Sequence, residues 1–213
     1  DALGDEFVET GKLSKLQLEG VLFACQKHCE FAPDGRRYGF MIGDGAGVGK
    51  GRQISGIIID NFVRGRRKAV WISSSGDLHR DAERDLGDLG STIKVINSCP
   101  ELDRETRATG LSKDYQEGVL FTTYSTLVSK TQKKNRLDQI IDWFGGEDAE
   151  GVVIFDECHK AKNFSASAET GSKVAAAVIA FQERCPKARV VYASATGISE
   201  VGHMTYLSRL GFW

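Results

Sequence analysis

The run Gly43–Asp44–Gly45–Ala46–Gly47–Val48–Gly49–Lys50–Gly51–Arg52 decides the fold of this 213-residue chain. An apolar stretch precedes the run, and an amphipathic helical pattern follows it. Its glycines let the backbone turn tightly and approach an anion, and successive N–H groups plus a helix N-terminus form a cradle for phosphate oxygens. Lys50 is in register to reach the β- and γ-phosphates of a nucleotide.

Two positions of this loop depart from the usual phosphate-loop pattern. Asp44 stands where a glycine is usual, and Gly51 stands where a serine or threonine is usual. Without that hydroxyl, a bound Mg²⁺ must depend more on acidic residues and water. A dinucleotide fold is the rival interpretation. It is disfavoured because G-x-G-x-x-G lacks its third glycine in both registers, and the next predicted strand ends in serines rather than an acidic residue.

Short apolar runs alternate with amphipathic helical segments along the rest of the chain. The predicted strands are 38–44, 69–74, 93–97, 119–124, 152–156 and 190–194. The clearest predicted helices are 50–64, 77–89, 136–144, 171–184 and 203–210. Near-continuous apolar strands indicate a sheet that is buried on both faces. Alternation with helices predicts an α/β fold with a doubly wound, mainly parallel sheet and helices on both faces.

Three segments stand outside this alternation. Residues 1–37 are predicted to be a helical, amphipathic N-terminal extension, with residues 38–213 forming the main domain. The stretch 98–117 is polar and is predicted to be a surface insertion or loop. The stretch 163–172, rich in Ser, Ala and Thr, is predicted to be a mobile loop.

The predicted strand 152–156 ends in Asp156–Glu157–Cys158–His159. Ligands of open α/β sheets bind at the carboxyl ends of the strands, where a Mg²⁺–nucleotide needs an anion. Asp156 is therefore predicted to hold Mg²⁺, in part through water. Glu157 is predicted to orient and deprotonate the attacking water, and His159 could couple the nucleotide state to the next strand. The alternative is an ordinary acidic cap on a strand.

The order of the motifs carries a family resemblance. Lys50, the Asp156–His159 box and Ser194–Ala195–Thr196 follow one another on successive strand ends, and they resemble motifs I, II and III of superfamily 2 helicases and translocases. The resemblance implies a RecA-like P-loop NTPase lobe that uses ATP and Mg²⁺. It implies that Ser194 and Thr196, with His159, couple phosphate loss to the rest of the motor.

Further segments resemble the remaining motifs of the first lobe. Gln17 resembles the upstream glutamine that reads adenine. Residues 71–75, with Ser74 and Ser75, resemble motif Ia, and residues 121–127, with Thr122 and Thr123, resemble motif Ib. In the superfamily these two motifs grip the backbone of DNA or RNA without reading sequence. Without the family, the same residues are ordinary strand ends and helix caps, and both interpretations stay open.

Longer runs are similar to the Strawberry notch family. They are 42–52, 81–86, 155–163 and 192–197, and the Gly51 departure is similar to that family's own variant. The resemblance implies a large nuclear protein that acts as a transcriptional co-regulator linked to chromatin factors. A superfamily 2 motor closes two RecA-like lobes around ATP, and no second set of motifs follows here. We therefore expect this lobe alone to bind nucleotide weakly and to hydrolyse it slowly or not at all.

Composition limits the partners. A net charge of −1, with 41% hydrophobic and 27% charged residues, is ordinary for a globular domain and gives no global positive field. Contact with nucleic acid would need local basic patches such as 64–68 or 130–134. The alternative interpretation of both runs is ordinary charge on solvated loops. No apolar stretch or signal peptide indicates a membrane. The five scattered cysteines lack zinc spacing and are interpreted as reduced thiols of an intracellular protein.

Two other classes of function compete. A degenerate ATPase fold could serve as a protein-interaction scaffold, which Gly51 and the near-zero net charge favour. Lys50, Asp156 and Glu157 argue against it, because a scaffold has no chemical need for them. A GTPase-type switch is disfavoured because the sequence has no Asn-Lys-x-Asp guanine-binding tetrapeptide.

Overall fold

The computed structural model describes residues 4, 6–43, 49–110, 112–131, 135–162, 168–195 and 206–211, without the side chains of 107–109, 161–162 and 168–172. The strands are β1 Phe40–Ile42, β2 Lys68–Ser73, β3 Val95–Asn97, β4 Gly118–Thr123, β5 Val152–Phe155 and β6 Arg189–Ala193. The helices are α1 Glu6–Glu9, α2 Lys15–Lys27, α3 Lys50–Val63, α4 His79–Asp88, α5 Ser98–Thr109, α6 Lys113–Gln116, α7 Tyr124–Leu127, α8 Arg136–Phe144 and α9 Ala168–Arg184. Single 3₁₀ turns lie at Gly76–Leu78, Gly146–Asp148, Cys158–Lys162 and Ser208–Leu210.

The described strands form one six-stranded sheet in the order β1-β6-β5-β2-β4-β3. Every neighbouring pair is parallel. Each strand must therefore return through a crossover, which the helices between the strands supply. The predicted parallel α/β fold is confirmed, and the strand positions agree with the apolar runs to within a few residues.

Alternate residues of each strand belong to two separate cores. On one face, Trp71 and Ile154 pack with α2, α3 and α4. On the other face, Ile72 and Phe155 pack with α5, α7, α8 and α9. Because a strand turns successive side chains to opposite faces, a run such as Val152–Phe155 must be apolar throughout. The doubly wound arrangement predicted from the sequence is confirmed.

The prediction of a loop at 98–117 was wrong. This segment forms α5 and α6, with Cys99 and Leu102 buried at helical spacing beneath a polar surface. An ion pair between Arg136 of α8 and Asp103 of α5, with a nitrogen–oxygen distance of 2.7 Å, also joins the two helices. Among the described side chains of α5, Cys99 and Leu102 are the buried ones, and two such residues are too few to give an apolar pattern in the sequence.

Two other predictions also need correction. Residues 168–172 begin α9 rather than extending a loop, whereas 163–167 lie outside the described residues. Of the predicted helix 203–210, the part at 208–210 is a 3₁₀ turn, and 203–205 lie outside the described residues.

The N-terminal extension is helical only in part. Helix α2 begins with a capping box between Ser14 and Gln17 and ends at Lys27. Residues 28–37 are not helical and contain an isolated bridge between Phe31 and Arg37. Leu18 and Val21 pack in the same core as α3, and a division of the chain at residue 37 stays a prediction. The helices of the described residues include none with the length and apolar character of a membrane span.

Candidate nucleotide site

The strand and helix that flank the phosphate loop are where the sequence places them. Strand β1 ends at Ile42 and helix α3 begins at Lys50, whereas residues 44–48 of the predicted cradle lie outside the described residues. Gly49 caps the helix in the left-handed conformation, with φ of 76°, which glycine adopts without strain. The first N–H groups of a helix have no partners within it, so this end of α3 favours an anion.

Gln17 lies against the end of this loop. The Gln17 side-chain Oε1 accepts a 2.8 Å hydrogen bond from the Ser14 backbone N–H. The Gln17 backbone N–H in turn donates to Ser14 Oγ at 3.1 Å. A Cβ placed on Gly49 would lie only 2.3 Å from Gln17 Nε2. The structure thus brings the predicted adenine-reading residue to the helix that begins with Lys50, and the positive φ of residue 49 together with this close approach favours glycine there.

A carboxylate explains the departure at Gly51. A Cβ placed on Gly51 would lie 1.9 Å from Oδ2 of Asp85, a residue of α4. Burial raises the pKa of Asp85, and Arg84 opposes the rise with a 3.3 Å contact. The neighbouring Arg52 pairs with Asp88, again on α4, at 3.0 Å. The Asp85 side chain of α4 therefore lies where the Cβ of a serine or threonine at residue 51 would be, and it would have to move to admit one; sequence reasoning missed this contact.

Asp156 is held from several sides at the end of β5. Its Oδ2 accepts from Trp71 Nε1 at 3.2 Å and from Ser73 Oγ at 3.5 Å, and its Oδ1 accepts from the Glu157 N–H at 2.9 Å. Burial raises the pKa of this carboxyl, the Trp71 hydrogen bond opposes the rise, and the charge of Lys50 lowers the pKa. The positive charge of Lys50 therefore acts on the Asp156 carboxylate and favours its ionised form.

This arrangement fits a hydrated Mg²⁺. A buried carboxylate with a raised pKa gains most from a nearby cation, because desolvation disfavours its charged form. Hard divalent cations bind carboxylate oxygen and retain water. Asp156 would hold the ion, and the described residues contain no cluster of three or more His, Cys, Asp or Glu side chains that could hold another.

Glu157, His159 and Ser194 form a connected group. His159 lies with Nε2 3.4 Å from Glu157 Oε2 and Nδ1 2.7 Å from Ser194 Oγ. The imidazole therefore bridges the acidic box and the end of β6, and its predicted role in coupling stays a prediction. Glu157 has a φ of 50°, a left-handed conformation that costs a non-glycine residue about 1–2 kcal/mol. Thr196 lies outside the described residues.

Two buried tyrosines also contact this box, and sequence reasoning missed both. Tyr124 donates a 2.8 Å hydrogen bond to the carbonyl of Asp156, and Tyr206 donates one of 3.0 Å to the carbonyl of Cys158. The one general rule that applied is that a buried tyrosine hydroxyl needs a hydrogen-bond partner. The sequence could not say which carbonyl would serve.

The predicted nucleic-acid residues lie on adjacent strand ends, because Ser73 of β2 is in register with Thr123 of β4. Ser75 is exposed and caps the following turn, and Thr123 caps α7 by accepting from the Thr126 N–H at 3.3 Å. Ser74 is partly exposed. Thr122 is buried and lies 3.3 Å from Ser98. Their role in binding nucleic acid stays a prediction.

The basic run 64–68 lies at the opposite end of the sheet, because residues 64–67 precede β2 and Lys68 begins it. Arg64 pairs with Asp60 at 2.8 Å, and Lys68 donates to the Trp143 carbonyl at 2.8 Å. Both cations therefore bind groups of the same end of the domain, far from the strand ends that carry the motifs. Of the second run, 132–134 lie outside the described residues. All five cysteines are free thiols.

Comparison with known proteins gives a consistent set of relatives. The profile of the family described as "P-loop containing NTP hydrolase pore-1" matches residues 1–213. The chain is 47% identical to "Protein strawberry notch homolog 1" of Gallus gallus over 100% of the chain and 17% of that protein. It is 47% identical to "Protein strawberry notch" of Drosophila melanogaster over 98% of the chain and 13% of that protein. The chain thus spans less than a fifth of the length of these relatives.

Solved structures share the fold at low identity. The Sulfolobus solfataricus SWI2/SNF2 ATPase core in complex with dsDNA has a TM-score of 0.61 and 17% identity, over 92% of this chain and 35% of that one. The DUF1998 helicase MrfA bound to DNA has a TM-score of 0.65 and 14% identity, over 97% of this chain and 28% of that one. At this identity the likeness shows the fold alone.

Proposed function

The chain belongs to the Strawberry notch family of P-loop NTP hydrolases, and from this premise we propose that it is the ATP-binding first lobe of a superfamily 2 helicase-like motor. The observation that supports the proposal is the connected group of Asp156, Glu157, His159 and Ser194 at the ends of β5 and β6, where the charge of Lys50 at the start of α3 lowers the pKa of Asp156. A phosphate-binding helix end beside a metal-binding carboxylate is what hydrolysis of a Mg²⁺-bound nucleotide requires.

Each residue has a distinct role in this proposal. Residues 44–52 cradle the phosphates, with Lys50 on the β- and γ-phosphates and Gln17 on adenine. Asp156 holds Mg²⁺, which neutralises charge on the phosphate oxygens when bound. Glu157 orients the attacking water and accepts its proton, with the 3.4 Å contact to His159 keeping the carboxylate in place.

The motor as a whole needs parts beyond this lobe. We infer that a second RecA-like lobe lies in the remainder of the longer polypeptide and supplies arginine fingers, which are worth about 10³–10⁵ in rate. The exposed Ser75 and the partly exposed Ser74 and Thr123, at the ends of β2 and β4, would contact the DNA or RNA backbone. Action on chromatin in the nucleus, in transcriptional regulation, is the part of the proposal that rests on family resemblance alone.

A scaffold without catalysis is the second candidate, and the Asp85–Gly51 contact favours it. The carboxylate takes up space beside residue 51, where the usual hydroxyl on the metal would lie. The three hydrogen bonds that fix Asp156 and the strained Glu157 argue the other way. Strained backbone of this kind concentrates at functional sites.

Turnover of ATP by the natural full-length protein, with and without DNA or RNA, tests the proposal. We expect Mg²⁺-dependent hydrolysis that nucleic acid stimulates and that Lys50→Ala abolishes. Lys113→Ala removes an equally charged, exposed side chain before β4, at the opposite end of the sheet, and should leave turnover unchanged. Hydrolysis that is absent in the wild type, or that survives Lys50→Ala, would favour the scaffold.

A further inference from the structure

The peptide that joins Asp156 to Glu157 is fixed at both ends. Its carbonyl accepts a 2.8 Å hydrogen bond from the Tyr124 hydroxyl. Its N–H donates to Asp156 Oδ1 at 2.9 Å. Because the peptide unit is planar, fixing both groups fixes its orientation.

This orientation decides where the Glu157 carboxylate points. Glu157 has a φ of 50°, so its backbone does not rest in a conformation that a glutamate prefers. The surrounding contacts must hold it there, and Tyr124 is one of them. A small rotation of the peptide would move the carboxylate relative to an attacking water.

Tyr124 itself lies within the predicted nucleic-acid segment 121–127, directly after Thr122 and Thr123. It is the first residue of α7, next to the helix cap Thr123 and the exposed Ser125. Its side chain is fully buried and crosses from the end of β4 to the end of β5. One rigid side chain thus connects an exposed turn with the peptide that carries the catalytic glutamate.

We propose that Tyr124 is a positioning residue that transmits the state of the Thr123–Ser125 turn to Glu157. The inference rests on the proposed ATPase function and goes beyond it, because it assigns the route from nucleic-acid contact to the acidic box. A shift of the turn on a DNA or RNA backbone moves the Tyr124 hydroxyl, and the hydroxyl moves the Asp156 carbonyl.

Two other buried tyrosines provide matched controls. Tyr206 donates to the Cys158 carbonyl from a segment that follows β6, so Tyr206→Phe loosens the same box without touching the β4 turn. The Tyr192 hydroxyl donates to Gln182 and accepts from the Arg209 N–H, so its partners lie outside the box although its ring stacks on Phe155. Each Phe variant removes one hydroxyl and keeps the ring in place, so the three variants share the same packing.

The test compares these variants in the full-length protein by turnover and by hydrogen–deuterium exchange. In Tyr124→Phe we expect the ratio of nucleic-acid-stimulated to basal kcat to fall about tenfold, since small misplacements at a reacting centre have effects of this size or larger. The KM for ATP should stay within about twofold, because the phosphate loop is untouched. Exchange of the Glu157 amide should rise while the α8 amides stay unchanged.

The controls separate transmission from simple loosening. Tyr206→Phe should lower basal and stimulated rates by the same factor, and Tyr192→Phe should leave both rates unchanged. If nucleic acid stimulates the wild type and Tyr124→Phe shows the same ratio of stimulated to basal kcat, this inference is overturned and the proposed function stays intact. A wild type without turnover overturns both.

Discussion

The two halves of the candidate site are built in different ways. The metal half, around Asp156, is fixed by hydrogen bonds from Trp71, Ser73 and Tyr124 to buried oxygens. The phosphate half, at the start of α3, is fixed by close packing of Gln17 and Asp85 where Gly49 and Gly51 leave space. The metal half should therefore lose stability when a hydrogen-bond donor is removed, and the phosphate half should lose stability when an atom is added.

The largest expected effect concerns the metal half. Glu157→Gln removes the base while keeping the shape of the side chain, so kcat should fall by about 10²–10⁴ with ATP affinity retained. Steady-state turnover and equilibrium binding of ATP on the same preparation check this. Glu147→Gln, in the turn between α8 and β5, is a control for the loss of one charge. Equal losses of binding and turnover would place Glu157 outside the chemistry.

Loss of the Trp71 donor should be the next largest effect. Trp71→Phe leaves a buried carboxylate short of one partner, at a cost of about 1.5–3 kcal/mol in the free energy of unfolding. Denaturant unfolding measures this. Trp143→Phe is a control that removes a hydrogen bond to the Tyr115 carbonyl at a distance from the site.

The pH dependence of the Trp71→Phe cost has a definite sign. Burial raises the pKa of Asp156 above its unfolded value of about 3.9, so the native state binds the proton more tightly. The charged form therefore lowers stability in full above the folded pKa, and this cost shrinks as the pH falls from the folded pKa and is gone below the unfolded pKa. Because Trp71→Phe raises the folded pKa further, its cost should shrink on acidification. A cost that grows as the pH falls would contradict the assigned hydrogen bond.

An added side chain should disturb the phosphate half by a smaller amount. Gly51→Ser restores the usual hydroxyl but places Cβ against Asp85, so we expect a loss of about 1–2 kcal/mol in unfolding free energy and no gain in Mg²⁺ dependence. Asp85→Ala should relieve the clash, so the double variant should be less destabilised than the two single effects added together. A fully additive pair would show that the two residues do not compete for space.

The smallest effect should come from the cap of α2. Ser14→Ala removes the acceptor for the Gln17 N–H and should cost roughly 1 kcal/mol. Gln17→Ala should cost a similar amount and should also reduce the preference for ATP over GTP, which Ser14→Ala should preserve. Nucleotide competition, measured beside unfolding, checks both. Equal selectivity in the two variants would remove Gln17 from the adenine site.

The sequence predicted the sheet well because its strands are buried on both faces. A run such as Val152–Phe155 can only be apolar in that setting, so the pattern and the structure share one cause. Helix α5 was not predicted because, among its described side chains (98–106), Cys99 and Leu102 alone are buried. The other residues of this segment are mostly polar, and such a pattern does not distinguish an amphipathic helix from a loop.

The site could be predicted as an ordered set of motifs but not as a set of contacts. Lys50 and the acidic box were recognisable because each motif is continuous in sequence. The contacts of Asp85 with Gly51 and of Tyr124 with the Asp156 carbonyl join positions more than 30 residues apart. No local pattern encodes such pairs, so the reason for Gly51 became visible only in the packing of α3 against α4.

The most direct test of the central claim is calorimetry of ATP binding to this chain, with and without Mg²⁺, in the wild type and in Lys50→Ala. A working phosphate loop predicts saturable binding that Mg²⁺ strengthens and that Lys50→Ala removes. Binding that is indifferent to both Mg²⁺ and Lys50 would contradict the account, because the nucleotide would then not lie between α3 and Asp156.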